Sequence, residues 1–288
     1  MAIALAATDT WTERRRRVAE LRERQGFARQ LLDFYGALLG VQEWAFREAA
    51  AAPPPAESLV AYVAELVLPS VAEISVAAGP ERLRAEVAGR LAADGAHEIV
   101  DRWVQNDAQP PVDRYLARAS LGPVLEALGS NAGARCAGPR DARHCPDCGG
   151  PPQLSYFERA SDDLASGPRR LLCARCGASW GFPRMTCPGC GEDASEKLPV
   201  FSEHGTTSGE RGSVVRGLPA EEGVVEHRAV FPHMRIEGCD TCRRYVLSVD
   251  LAADASAVPV VDEMAAIPLD LYAREQGFAK ITTNLMGF

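Results

Sequence analysis

Eight of the nine cysteines fall into four Cys-x-x-Cys pairs: Cys145/Cys148, Cys173/Cys176, Cys187/Cys190 and Cys239/Cys242. Two thiolates separated by two residues curl into a tight knuckle that offers both sulfurs to one metal ion. Two such knuckles complete a tetrahedral four-sulfur site. Gly149, Gly177 and Gly191 directly follow three of the pairs, where a positive φ turns backbone N–H groups toward sulfur. Sequence order groups Cys145, Cys148, Cys173 and Cys176 into one site and Cys187, Cys190, Cys239 and Cys242 into a second. Each unit then reads as knuckle, strand, turn, strand, knuckle and third strand, which suggests an internal duplication. A nested pairing would instead join the middle two knuckles across a ten-residue gap.

The chemistry of these pairs is narrowed by what surrounds them. Disulfides fit poorly with an odd cysteine count and the cytoplasmic compartment expected for the chain. A thioredoxin-like redox pair needs a Cys-x-x-Cys at a helix N-terminus, and none of the four opens a helix. Iron–sulfur clusters also take four cysteines, but symmetrical hairpin knuckles point to a single ion per site. Zinc outcompetes ferrous iron on affinity, whereas the same four-thiolate cage holds iron in rubredoxins. A closed four-sulfur site leaves no open coordination position for hydrolysis. No nucleophile elbow, phosphate-binding glycine loop, His-Glu-x-x-His or dinucleotide fingerprint accompanies them. No catalytic residue is assigned, and no enzyme is expected. Cys136, the unpaired thiol, reads as a packing residue. His144 adjoins a site that already has four sulfurs, and His97, His204, His227 and His233 show no ligand spacing.

The elements that must hold these knuckles are β-like: Gln153–Glu158, Arg169–Cys173, Ser179–Thr186, Lys197–Glu203, Val224–Gly238 and Tyr245–Leu251. The first hairpin is expected to turn through Ser161-Asp162-Asp163 and Ser166-Gly167-Pro168. Ahead of them, residues 11 to about 130 read as helix. Thr10 is placed to cap a helix from Trp11, with Glu13 completing a capping box. Val18, Leu21, Phe27, Leu31, Leu32, Phe34, Leu38 and Leu39 recur near a 3.6-residue period. Further helices are expected at about 56–77, 80–95, 96–105 and 111–129, as an all-α bundle. The run Arg14 to Arg17 reads as a solvated helix face paired with Glu13, Glu20 and Glu23. Pro259 to Phe278 reads as a closing helix broken near Pro268, and Ile281–Phe288 as an extended tail. The fold class expected is therefore α+β. Its parts are a helical domain (1–135), two rubredoxin-like or zinc-ribbon modules (136–186 and 187–258), and a C-terminal helix with its tail (259–288).

Composition agrees with a folded, soluble chain. The 288 residues are 47% hydrophobic and 24% charged, with a net charge of −8, so non-specific attraction to nucleic acid or anionic lipid is disfavoured. Met1 to Ala7 is apolar but lacks a basic flank, and the apolar stretch Leu59 to Ala78 contains Glu65 and Glu73, which are costly at a bilayer centre. A cytoplasmic location is expected. Residues 136–288 hold 16 basic against 21 acidic residues. That balance weakens the alternative of a zinc-ribbon nucleic-acid-binding or transcription-associated module, which needs a basic, aromatic-bearing face.

Several stretches resemble the formate dehydrogenase accessory protein (FdhE) family. They are His144-Cys145-Pro146-Asp147-Cys148-Gly149-Gly150-Pro151-Pro152 with Leu172-Cys173-Ala174-Arg175-Cys176, then Trp180-Gly181-Phe182-Pro183-Arg184 through Cys187-Pro188-Gly189-Cys190-Gly191-Glu192. Glu237-Gly238-Cys239-Asp240-Thr241-Cys242 with Tyr245 and Val249-Asp250 is similar to the family's fourth knuckle. Val258-Pro259-Val260-Val261-Asp262-Glu263 to Leu269-Asp270-Leu271 and Ala273-Arg274-Glu275-Gln276-Gly277-Phe278 resembles its closing helix. The resemblance covers about 140–288. It implies a cytoplasmic, iron-binding maturation factor carrying two mononuclear metal ions, with zinc as the alternative occupant, especially in recombinant protein. It also implies contact with the catalytic subunit of a molybdenum- or tungsten-dependent formate dehydrogenase; neither nucleic acid nor membrane is an expected partner, and weak homo-oligomerisation is compatible with the reading. Two features depart from the family pattern: a long segment between Cys190 and Cys239, and Leu247 where a lysine is common.

Overall fold

Alanine-rich sequence at the start carries helix further back than the cap signal suggests. Helix α1 runs Ala2–Arg24, so Thr10 lies inside it and not at its start; the high helix propensity of Ala2–Ala7 outweighs the local capping box. The structure, a computed structural model, describes residues 2–91, 95–159, 167–203 and 229–287, and of residues 2–9 and 91 the backbone alone. The expected turn at Ser161-Asp162-Asp163, Ser166, and the residues His204 and His227 lie outside the described residues, as does the first part of the Val224–Gly238 run.

The periodic run expected through Leu39 is broken at Gln25, and α2 (Arg29–Ala51) starts anew after a short 3-10 turn. Phe27 falls in that turn and is exposed, set edge-on to Phe231 instead of entering the bundle. Helix α3 (Leu59–Tyr62) passes through a π turn into α4 (Leu68–Ala78). Then come α5 (Glu81–Leu91), α6 (Ala96–Val104) and α7 (Pro111–Leu128). The stretch Ala56–Ala78 is long and apolar enough to cross a membrane by composition. Here Val63, Val67, Leu68 and Val71 are buried in the bundle while Glu65 and Glu73 face outward.

Helix α7 is the bundle's central member and buries Leu116, Ala117, Ala119, Leu121, Val124 and Leu125 completely. It also contains Pro123, which has no N–H to give the carbonyl of Ala119. The side chain of Gln42 on α2 donates to that carbonyl instead, at 3.1 Å.

The β region is a single mixed sheet. Its strands are β1 (Pro152–Phe157), β2 (Arg169–Cys173), β3 (Ser179–Gly181), β4 (Val200–Phe201), β5 (Met234–Cys239), β6 (Arg244–Asp250) and β7 (Ala279–Lys280). Spatial order is β3-β2-β1-β6-β5-β4, with β7 also on β6. Each ribbon unit is an antiparallel three-stranded piece, β1-β2-β3 and β4-β5-β6. The two are fused by a parallel pairing of β1 with β6, Ser155 opposite Ser248. Strand β3 is shorter than the expected Ser179–Thr186, because Pro183 cannot donate to a ladder. Pro199 and a 3-10 turn at Ser195–Lys197 likewise shorten the expected Lys197–Glu203 run to β4. The closing helix is split as expected, into α8 (Pro259–Ala265) and α9 (Ile267–Glu275). The tail is pinned at β7, where Ile281 N–H donates to the Tyr245 carbonyl.

Charges expected on the surface are instead what joins helices to sheet. Arg17 is fully buried and clasps both carboxylate oxygens of Asp262, with further bonds to Asp254 and Ser256. Arg14 pairs with Glu126 on α7, and Arg15 with Glu43 on α2. Within the run, Arg16 keeps the expected solvated pairing with Glu20. Asp262, Glu263 and Asp270, acidic residues of the closing helices, are all completely buried. His233 bonds Asp262, while Lys280 bridges Glu263 and Asp270. Tyr245 donates to Asp270 at 2.7 Å.

Candidate metal centres

Each four-cysteine set is built from a knuckle ahead of one strand and a knuckle behind another. Cys145 and Cys148 precede β1, and Cys173 and Cys176 end β2. Cys187 and Cys190 precede β4, and Cys239 and Cys242 link β5 to β6. Antiparallel β1–β2 pairing sets Pro152 opposite Cys173 and so brings the first two knuckles face to face. The Cys145 N–H is tied to the Gly150 carbonyl and the Cys187 N–H to that of Glu192, the same closure in both units. Gly149, Gly177 and Gly191 have φ of +69°, +71° and +86°. In the fourth knuckle that place belongs to Arg243, at φ +55°. Its guanidinium is anchored by Asp240, by the Gln276 carbonyl and by the Phe278 ring.

The sulfurs assemble in the two sequential sets, not the nested ones. Sγ–Sγ distances are 3.6 Å for Cys145–Cys176, 3.4 Å for Cys148–Cys173, 3.8 Å for Cys187–Cys242 and 3.7 Å for Cys190–Cys239. A tetrahedron of thiolates around an ion with metal–sulfur bonds of about 2.3 Å has edges of about 3.8 Å. Both sets therefore fit a single four-coordinate ion, and each could hold one. The soft, all-sulfur donor set suits zinc or iron and is a poor match for hard cations such as magnesium.

Backbone N–H groups support the sulfurs: Arg175 N–H points at Cys173 Sγ and Gly189 N–H at Cys187 Sγ, each at 3.3 Å. Gly150 must be glycine, since a Cβ there would lie 2.8 Å from Cys173 Sγ. Cys136 is buried and belongs to neither set, although Cys148 lies within its electrostatic reach, and burial pushes its thiol up to about 11. His144 turns to Asp141 at 2.7 Å. His97 sits beside Glu65, and His233 belongs to the Arg17–Asp262 network. That network also brings His233, Asp254 and Asp262 together in a metal-like grouping, but Arg17 already occupies its centre.

Trp180, Phe182 and Tyr245 are all buried. Trp180 donates to the Ala142 carbonyl, which leaves it no freedom as a surface anchor. Among the described residues strand β3 is an edge of the sheet, whereas β6 lies between β1 and β5. A cleft of about 940 Å³ opens between the two units. It is lined by Phe157, Arg184, Cys187, Arg235, Glu237 and Arg243 among others. Arg184 and Arg235 stack on the Phe157 ring.

Sequence reasoning missed Arg118 and Arg175. Both are buried beside the first set and bonded to neutral acceptors. Burial pulls the Arg118 guanidinium down to about 10. Nothing in a lone arginine marks it as buried, although Arg175 between two ligand cysteines was the one available hint.

Residues 221–286, which include the fourth knuckle and the closing helices, match the family described as FdhE, C-terminal domain. A protein named as an FdhE homolog in Aquifex aeolicus is 30% identical over 145 residues, half of this chain and 42% of that protein. Over these residues the chain is similar to FdhE proteins. The FdhE homolog of Pseudomonas aeruginosa is 29% identical over 143 residues, 49% of this chain and 38% of that protein. These matches thus span less than half the length of the curated FdhE relatives. The crystal structure of the FdhE protein from Pseudomonas aeruginosa shares the fold. It superposes with a TM-score of 0.59 over 96% of this chain and 95% of that one, at 20% identity.

Proposed function

We propose that the chain is a non-enzymatic, cytoplasmic maturation factor for formate dehydrogenase. In this reading it binds the enzyme's catalytic subunit and carries two mononuclear metal ions, iron in its own cell and zinc in recombinant material. The ligands would be Cys145, Cys148, Cys173 and Cys176 for one ion and Cys187, Cys190, Cys239 and Cys242 for the other. The observation that carries the reading is the pair of closed four-sulfur sets in a chain similar to FdhE proteins over half its length. Closed sites favour a scaffold over a reaction centre, and reduced thiols in such number suit a cytoplasmic location. The family name supplies the link to formate dehydrogenase, and the relatives' matched length makes that link a proposal for this chain.

Metal content tests the first half. Protein purified anaerobically from metal-replete cells should carry close to two ions per chain, coloured by thiolate-to-iron charge transfer if iron and colourless if zinc. Elemental analysis finding less than one ion per chain would reject both centres. The client surface is placed in the cleft between the two units and along the β3 edge, which offers unpaired backbone groups to an extended segment. Arg184 and Arg243 are exposed there. Charge reversal at both (Arg184→Glu with Arg243→Glu) should weaken co-purification of the catalytic subunit while metal content stays at the wild-type value. Undiminished co-purification by a folded, metal-loaded double variant would move the interface to the helices.

A further inference from the structure

The two four-sulfur sets share a design but not an environment. In the first, Cys145 and Cys148 are wholly buried, and Cys173 and Cys176 are 2% and 3% exposed. In the second, Cys187 and Cys239 are buried, Cys242 is half-buried and Cys190 is exposed. Cys187 also lines the open cleft between the units. Solvent and small solutes thus reach two ligands of the second set and none of the first.

Electrostatics sharpen the contrast. Four thiolates around a divalent ion carry net negative charge, which is costly to bury without compensation. Arg175 is 2% exposed. Its guanidinium donates to the carbonyls of Ala137 (2.8 Å) and Cys148 (3.0 Å) and to Asn106 Oδ1 (2.9 Å). Arg118 is 7% exposed and donates to the carbonyls of Thr283 (2.6 Å) and Asn284 (3.3 Å) and to Gln153 Oε1 (2.8 Å). Among the described residues neither guanidinium forms an ion pair. Arg118, Arg175 and Cys173 line one crevice between α7 and the first knuckles, so a loaded first centre is an anion that both cations face, in addition to Glu263 for Arg118. By bonding Ala137, Cys148 and Asn106 together, Arg175 also ties the knuckle to the helical domain. At the second set Arg243 is exposed and spends its charge on Asp240, and the buried Arg169 beside Cys187 spends its own on Glu237. Glu192, the residue after Gly191, turns its carboxylate to Thr241, Lys197 and the Ala194 N–H.

We infer that the two centres have divided roles: the second is the exchangeable one, where metal enters, leaves or meets an external soft ligand, and the first is permanent, held by Arg175 and Arg118. This rests on the reading of both sets as metal centres. In the exchange step an external thiolate or chelator nitrogen bonds the ion as the bond to Cys190 breaks. The released sulfur takes a proton from water, and no oxidation state changes.

Zinc-loaded full-length protein challenged with 4-(2-pyridylazo)resorcinol tests the inference by absorbance. Two equivalents should be released in two phases of equal amplitude, with rates about ten-fold or more apart, the scale on which groups outside the ligand shell alter metal binding. In Cys190→Ala/Cys242→Ala the fast phase should vanish and the slow phase remain. In Arg175→Met the slow phase should speed up by about 10–100-fold while the fast phase keeps its rate. Release of both equivalents at one rate would overturn the inference, as would loss of the slow phase in the double variant. Fewer than two equivalents before the dye is added would instead overturn the two-centre reading beneath it.

Discussion

Replacing Cys148 by serine is expected to remove one metal ion and the folded state of the first ribbon unit together. The unit's strands β1, β2 and β3 have six, five and three residues, too little to stand as an isolated core. A structural four-thiolate site supplies on the order of 10 kcal/mol of folding free energy to a domain of this kind. Serine is a hard, weakly bound substitute in a site selected for soft donors. Elemental analysis should fall from two ions to one, and limited proteolysis should cut between residues 136 and 186. Cys136→Ser is the control: its thiol belongs to neither sulfur set, so metal content should not change. Equal metal loss and equal protease sensitivity in both variants would show that Cys136 is not a bystander.

Arg17→Met should be the most damaging substitution outside the cysteines, at about 3–5 kcal/mol of unfolding free energy, the range found when one partner of a buried ion pair is removed. The guanidinium holds Asp262 at 2.5 Å and Asp254 at 2.8 Å, and methionine would strand the fully buried Asp262 with His233 and one backbone N–H as its remaining partners. Arg17→Met with Asp262→Leu should recover part of the loss, because an apolar pair costs less than an orphaned charge. Urea titration of the three variants reads the coupling directly; a double variant as unstable as the sum of the single ones would mean that the pair is not coupled. The same network sets an acid limit. Burial alone would raise the Asp254 carboxyl, but hydrogen bonds from Ser256 and Arg17 outweigh it and hold it below the usual carboxylate range. A folded-state pKa below the unfolded one adds stability at pH above the unfolded value of about 3.9, and that stability is lost as pH falls further. The acid-induced loss should shrink in Arg17→Met.

What was legible in the chain was what is written locally. Cys-x-x-Cys spacing, a following glycine and strand order determine a knuckle within a few residues, which is why Cys145 to Cys176 and Cys187 to Cys242 can be grouped before any fold is known. The split at Pro268 and the helices around Pro111 and Pro259 are equally local. The arginine run misled because an i,i+3 or i,i+4 pairing explains it with nearby glutamates. Arg17 does keep the expected Glu20 at 3.0 Å, but the partners that bury Arg17 and Arg14 lie 245 and 112 residues away, and no period announces them. Asp262, Glu263 and Asp270 misled for the mirror-image reason, since acidic residues read as surface until a buried arginine, histidine and lysine are found against them. The β1–β6 junction was invisible because two complete three-stranded ribbons satisfy every local signal without it.

That junction has a consequence for how the chain reaches its final form. The residues that meet at Ser155 and Ser248 are about ninety positions apart, and parallel pairing over such a span is slow to form. On the ribosome the first ribbon emerges and can take its metal while β6 is still unsynthesised. For that interval β1 displays an unsatisfied row of amides and carbonyls, the kind of template that neighbouring nascent chains can pair with. Completion of the second ribbon is therefore what seals the first. A chain halted by a stop codon before residue 244 would be left permanently adhesive along β1, with aggregation as its characteristic defect.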